Sequence, residues 1–267
     1  MFALRIPLTS FATDGIKAYL TRALPNVKSA HRCEAFARGL GFGTYASLLA
    51  EGRSQAPTIA TADGAAFRAY LAAHGFNESA VPFCRAVGAV ALRMAVEKVP
   101  KLTMWGIGVG TRKRKADGKR ESSQEFHARF AAERQVLLSD DAVEPFLLSF
   151  ALVARIKPTK TVRAGIGSYG LKHIAENYAC TYPGGEELGP QYVANGALIA
   201  AAVHAGFKMK TYVDDLGYDE LNVSFNMSKS AVEDLDCEIR PNGARAQARR
   251  HLVGMRGNKT SYSGHRR

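Results

Sequence analysis

The chain has 267 residues, 46% hydrophobic and 22% charged, with 36 Lys and Arg against 24 Asp and Glu. That composition supports a packed core and excludes wholesale disorder, while a net charge of +12 favours a polyanionic partner. The longest apolar run, Ala197–Val203, is far too short to span a bilayer, and Met1–Pro7 lacks the charged start and long apolar stretch of a secretory signal. The expectation is therefore a cytoplasmic protein with no membrane partner.

In chain order, capping residues predict three short helices at the start. Asp14 is placed to cap Gly15–Leu24, Ser29 to cap Ala30–Leu40 and Thr44 to cap Tyr45–Glu51. Glu34–Leu49, with Leu40-Gly41-Phe42 between its two helices, fits a helix-turn-helix that offers Thr44, Tyr45 and Ser47 to a groove and sets Arg32 and Arg38 near phosphates. It fits a plain three-helix packing or protein-docking module equally well, because the third helix carries no Arg, Lys, Asn or Gln for base edges.

Gly52–Thr61 reads as a linker, followed by a helix over Gly64–His74 and a long helix opened by Pro82 and closed after Lys98 by Pro100. Leu102–Thr111 reads as a strand entering a basic hairpin, with the turn at Asp117-Gly118. Ser122-Ser123-Gln124-Glu125 is a capping box for a helix to Leu138. Further helices are expected from Asp140 or Asp141 to about Ile156, over Tyr169–Ala179, and over Pro190–Ala205. Alternation at Phe207–Val213 and Leu221–Met227 predicts two half-buried strands joined by an acidic turn. The fold class that results is α+β and helix-rich: a small helical module over 1–53, a larger body with a small antiparallel sheet over 62–239, and a basic flexible tail over 240–267.

The basic surplus is clustered. The tail holds 8 basic residues, among them Arg245, Arg249 and Arg250, and no acid. Arg112, Lys113, Arg114, Lys115, Lys119 and Arg120 occupy the hairpin, and Arg155, Lys157, Lys160 and Arg163 the connector around Pro158. Each cation that meets a phosphate releases condensed counterions, so the clusters point to a nucleic-acid backbone, RNA or DNA. A solvated basic surface is the alternative.

Reactive groups are densest at Gly165–Tyr178. On a helix Tyr169, His173 and Glu176 share a face with Lys172 beside it. That set suits metal-free acid–base work on RNA, with His173 moving a proton, Lys172 stabilising phosphorane charge and Tyr169 orienting or stacking a base. An ordinary helix with a Lys172–Glu176 pair is the competing reading. The cysteines, Cys33, Cys84, Cys180 and Cys237, have no zinc-ligand spacing, and no motif calls for a metal or cofactor.

Lys28–Leu49 resembles a short helical module at the start of many bacterial proteins with no assigned activity, and Ser168–His173 taken with Tyr192–Ala202 resembles proteins of plasmids and integrative elements, also with no assigned activity. The resemblance implies a mobile-element setting and other proteins of a nucleoprotein complex as further partners. Three roles follow as expectations: a nucleic-acid-binding protein, a metal-independent endoribonuclease that retains its product, and a protein-docking adaptor.

Overall fold

The structure is a computed structural model that describes residues 2–162 and 165–261, with side chains to Leu252. β1 (Arg5–Pro7) leads into α1 (Ser10–Ala23), which starts more than a turn before Asp14 because Thr9, in an extended conformation, accepts the Ala12 N–H. α2 (Ser29–Gly39) takes Ser29 as its first residue rather than its cap. α3 (Tyr45–Gly52) opens on a capping box between Thr44 and Ser47. The expected linker ends in β2 (Ile59–Thr61), which pairs antiparallel with β1, Ile6 opposite Ala60. α4 (Gly64–Ala73) is capped by Asp63, and α5 (Val81–Lys98) carries Pro82 in its first turn.

The strand expected over Leu102–Thr111 is instead a tight turn-back of β3 (Leu102–Thr103) on β4 (Gly106–Ile107). Gly106 explains it: its φ is +128°, and a Cβ there would lie 1.9 Å from the Leu221 carbonyl oxygen. α6 (Ser123–Leu137) opens on the capping box of Ser122 and Glu125. A 3-10 turn at Asp140–Ala142 feeds α7 (Val143–Val153), which is apolar on nearly every side and buried accordingly.

α8 (Ser168–Ala175) ends a turn short of Ala179, and β5 (Cys180–Thr181) then pairs with β6 (Glu187–Leu188). α9 (Asn195–His204) begins five residues after Pro190, where the Asn195 amide is anchored to the carbonyls of Trp105 and Leu221. The two alternating segments pair only over β7 (Met209–Lys210) and β8 (Ser224–Phe225). α10 (Lys229–Ile239), capped by Ser228, was not anticipated, and α11 (Ala244–Ser261) occupies most of the tail. Eleven helices among the described residues, with small antiparallel strand pairs between them, make the protein α+β.

One continuous apolar core runs from Leu4 and Ile6 through α1, α5, α7 and α9 to Phe225 and Met227. It takes in the N-terminal helices, because α1 packs on α5 and α2 on α4. Wholly buried side chains such as Phe83, Phe146 and Leu147 each contribute about 1.5–3 kcal/mol of transfer free energy.

The segment around β8 positions the site. Ser224 lies opposite Lys210 on one side and Gly167 on the other, and Met227 lies opposite Pro158. Further bonds join Ser168 N–H to Val223 O (2.9 Å) and Thr159 N–H to Asn226 O (2.7 Å). Three distant stretches, 157–159, 166–168 and 208–210, are thereby aligned along a single strand.

Among the described residues no helix is long and apolar enough to cross a membrane.

Candidate functional site

α8 carries a compact polar cluster. Lys172 is buried; its Nζ donates to Glu176 Oε1 (2.7 Å) and to the Val193 carbonyl (3.2 Å). Its charge is therefore paired with Glu176 inside the protein, and the phosphorane-stabilising role expected of it would compete with that carboxylate. His173, half-exposed, places Nδ1 2.6 Å from Glu176 Oε2. Burial raises the Glu176 carboxyl, but hydrogen bonds from Lys172 and His173 outweigh it and hold the group below the ordinary carboxylate range. With Nδ1 donating to that carboxylate, Nε2 is the ring nitrogen that carries no proton in the neutral imidazole.

Two tyrosines flank the cluster. Tyr169 is 56% exposed and meets His173 edge-on, ring centroids 4.5 Å apart. Tyr192 is 59% exposed, and the Lys172 ammonium lies 4.8 Å from its ring and 5.9 Å from that of Tyr169. Tyr192 went unremarked as a site residue, since only folding brings it beside α8. Trp105, half-exposed at the β3–β4 turn, was likewise missed. Its backbone N–H donates to buried Thr103 Oγ1 (3.2 Å) and its backbone carbonyl accepts from Asn195 Nδ2 (3.0 Å).

The basic hairpin is built around Arg129 on α6. The guanidinium gives Glu121 two bonds, Nε–Oε1 at 2.9 Å and Nη2–Oε2 at 2.7 Å, and also holds the carbonyls of Val109 and Thr111. Those bonds from Arg129 hold the Glu121 carboxyl down to about 2. Beyond this anchor Arg114 bridges Arg120 across the turn, and every residue from Thr111 to Arg120 is exposed. Lys115 pairs with Glu125 and Lys119 loosely with Asp117; Arg112 lies over the Phe126 ring. Arg112, Lys113, Arg114 and Arg120 make no ion pair among the described residues.

The other predicted cations are placed differently. Arg32 donates to the carbonyls of Leu24 and Val27 and so ties off the end of α1. Arg38 is exposed beside Phe42 and Tyr70. Thr44 and Ser47 use their side chains in the cap, and Tyr45 packs on Phe36.

Lys157 and Lys160 are exposed on the stretch paired with 226–228, and the strand-like pairing brings Lys208 and Lys210 to the opposite edge. Arg163 lies outside the described residues. In the tail Arg245 binds Asp236 (2.8 Å) and Arg249 binds Asp234 (2.6 Å), so α10 neutralises cations that the sequence presents as unopposed; Arg250 is exposed.

A cavity of about 750 Å³ lies elsewhere, lined by Phe2, Phe150, Arg155, Tyr178, His204 and Phe207. Two of its polar groups already have partners: Arg155 grips Glu238 bidentately and His204 Nε2 donates to the Arg5 carbonyl. Two of the turn acids are also engaged, Asp214 capping its own turn and Asp219 pairing with Lys101. Comparison with protein-family models, curated proteins and solved structures gives no match.

Proposed function

We propose that this chain binds a nucleic acid through its phosphate backbone, with the Arg112–Arg120 hairpin as the principal contact. The observation that carries the reading is the hairpin's construction. Six cations project on an exposed turn whose base is locked to α6 by a nearly buried Glu121–Arg129 pair, side chains 10% and 14% exposed. A surface kept basic for solubility needs no such anchor, whereas a phosphate grip benefits from cations whose backbone is already ordered.

The test is affinity for RNA and DNA as a function of salt. Each lost phosphate contact reduces the slope of log K against log salt by about 0.7–0.9. The triple variant Arg112→Ala, Arg114→Ala, Arg120→Ala should flatten the slope by about 2 or more. An unchanged slope, or no binding by the parent protein, defeats the proposal.

A second reading, a metal-independent endoribonuclease, is favoured by the half-exposed imidazole of His173, oriented through Nδ1 by the Glu176 carboxylate. Cleavage of labelled RNA in EDTA that is lost in His173→Ala, with binding retained, would support it; absence of cleavage counts against it.

A further inference from the structure

We infer that Tyr169 and Tyr192, seated on the buried ammonium of Lys172, form a stacking seat for an unpaired base, so that the polynucleotide this protein takes is single-stranded. The inference rests on the phosphate-grip reading and adds the class of polymer to it. Large aromatic rings normally bury most of their surface. These two leave more than half of theirs in water although they sit against one cation that is itself fixed at Glu176 and Val193. The cation lies within 6 Å of both ring centroids, and Tyr169 also meets the His173 ring edge-on, yet 56% of Tyr169 and 59% of Tyr192 stay in water. A ring held in this way loses little conformational freedom when a base stacks on it, and every base has a π-face to offer.

The surrounding charge suits the same occupant. Lys210, Ser224 and Gly167 stand at one register position across three adjacent backbone stretches, and Tyr169 follows two residues after Gly167. Neighbouring strands are about 4.8 Å apart, so the Lys210 backbone lies about 10 Å from the start of α8. Exposed Lys208, Lys157 and Lys160 continue along those stretches. Cations beside projecting aromatic rings are what a single-strand groove needs: phosphates follow the lysines and a base turns onto the tyrosines. A duplex keeps its bases stacked inside and cannot use the rings, which makes the rings a discriminator rather than a general source of affinity. Trp105 is a third exposed ring, on a turn fixed by Thr103 and by Asn195, which lies three residues after Tyr192.

The experiment titrates the full-length chain with fluorescein-labelled adenine-rich oligonucleotides, as RNA and as DNA, each single-stranded and annealed to its complement. The parent should prefer at least one single strand over its duplex. The double variant Tyr169→Leu, Tyr192→Leu should lose about tenfold or more in single-strand affinity and nothing for duplex, while Tyr192→Trp restores most of it at Tyr192. Both tyrosines are exposed, so the variants should melt with the parent protein, and that is checked in parallel. Parent-like single-strand binding by the double variant overturns the stacking seat and leaves the phosphate grip standing. So does an equal loss on duplex and single strand. Failure of the parent to bind any of the four ligands overturns both.

Discussion

Replacing Arg129 with Met removes the anchor of the basic hairpin while keeping an unbranched apolar stem on α6. The guanidinium makes two charge-assisted bonds to Glu121 and two to the carbonyls of Val109 and Thr111, and the Glu121 side chain is 10% exposed. Hydrogen bonds to charged groups are worth about 1.5–3 kcal/mol each, and taking away one member of a buried pair costs about 3–5 kcal/mol because the other is left uncompensated. The residual exposure lets water reach Glu121, so the lower end applies, about 3 kcal/mol. If the hairpin melts with the rest of the chain, the melting temperature should fall by about 6–12 °C. If it detaches alone, protection of the Lys115 and Glu121 amides, which bond to the Lys119 and Lys113 carbonyls, should drop by about two orders of magnitude in hydrogen exchange. Affinity for nucleic acid should fall in either case, since ordered cations become disordered ones. An Arg129→Met protein with parental melting temperature and parental exchange at these amides would refute the idea that this pair holds the finger in place.

Truncation after Ile239 removes Arg240 and Arg245 from Asp236, whose side chain is 8% exposed, and should destabilise the protein by about 3 kcal/mol; a truncated chain that melts like the parent would show α11 to be energetically independent. Gly196→Ala would set a Cβ 1.9 Å from the Thr103 carbonyl oxygen and should cost more than about 3 kcal/mol in urea unfolding. Gly170→Ala, with nothing within 4 Å, should gain about 0.5 kcal/mol from helix propensity; equal effects at the two sites would contradict the packing described. Burial pushes the His204 imidazole below its usual value, against a bond to the Arg5 carbonyl that works the other way. The neutral ring is thus the one the fold prefers, and its contribution is complete above the unfolded value near about 6.5 and is lost as pH falls from there. The urea midpoint should therefore drop between pH 7.5 and pH 5.5 by less in His204→Gln than in the parent; identical drops would exclude His204 as the cause.

Local chemistry was legible before folding. Thr44 and Ser122 cap the helices they were expected to cap, because a cap joins atoms two or three residues apart. The Asp117-Gly118 turn is likewise a four-residue event, and the i, i+4 approach of Lys172 to Glu176 is written into helix geometry. Less could be said where an element depends on a partner far along the chain. β2 is three residues long and exists because β1, more than fifty residues earlier, lies beside it. α9 starts at Asn195 and not at Pro190 because Trp105 and Leu221 offer carbonyls there.

The site divides along the same line. Sequence alone determined that His173 and Glu176 share a helix face and that the cations come in groups, since both follow from spacing. Only the tertiary structure decided which charges remain available. Lys172 is drawn inside by the Val193 carbonyl, Arg32 closes α1, and Arg245 and Arg249 are met by acids of a helix whose approach no local pattern announces. A side chain's type is carried by its codon, but the field and the solvent around it are set by whatever the fold packs next to it.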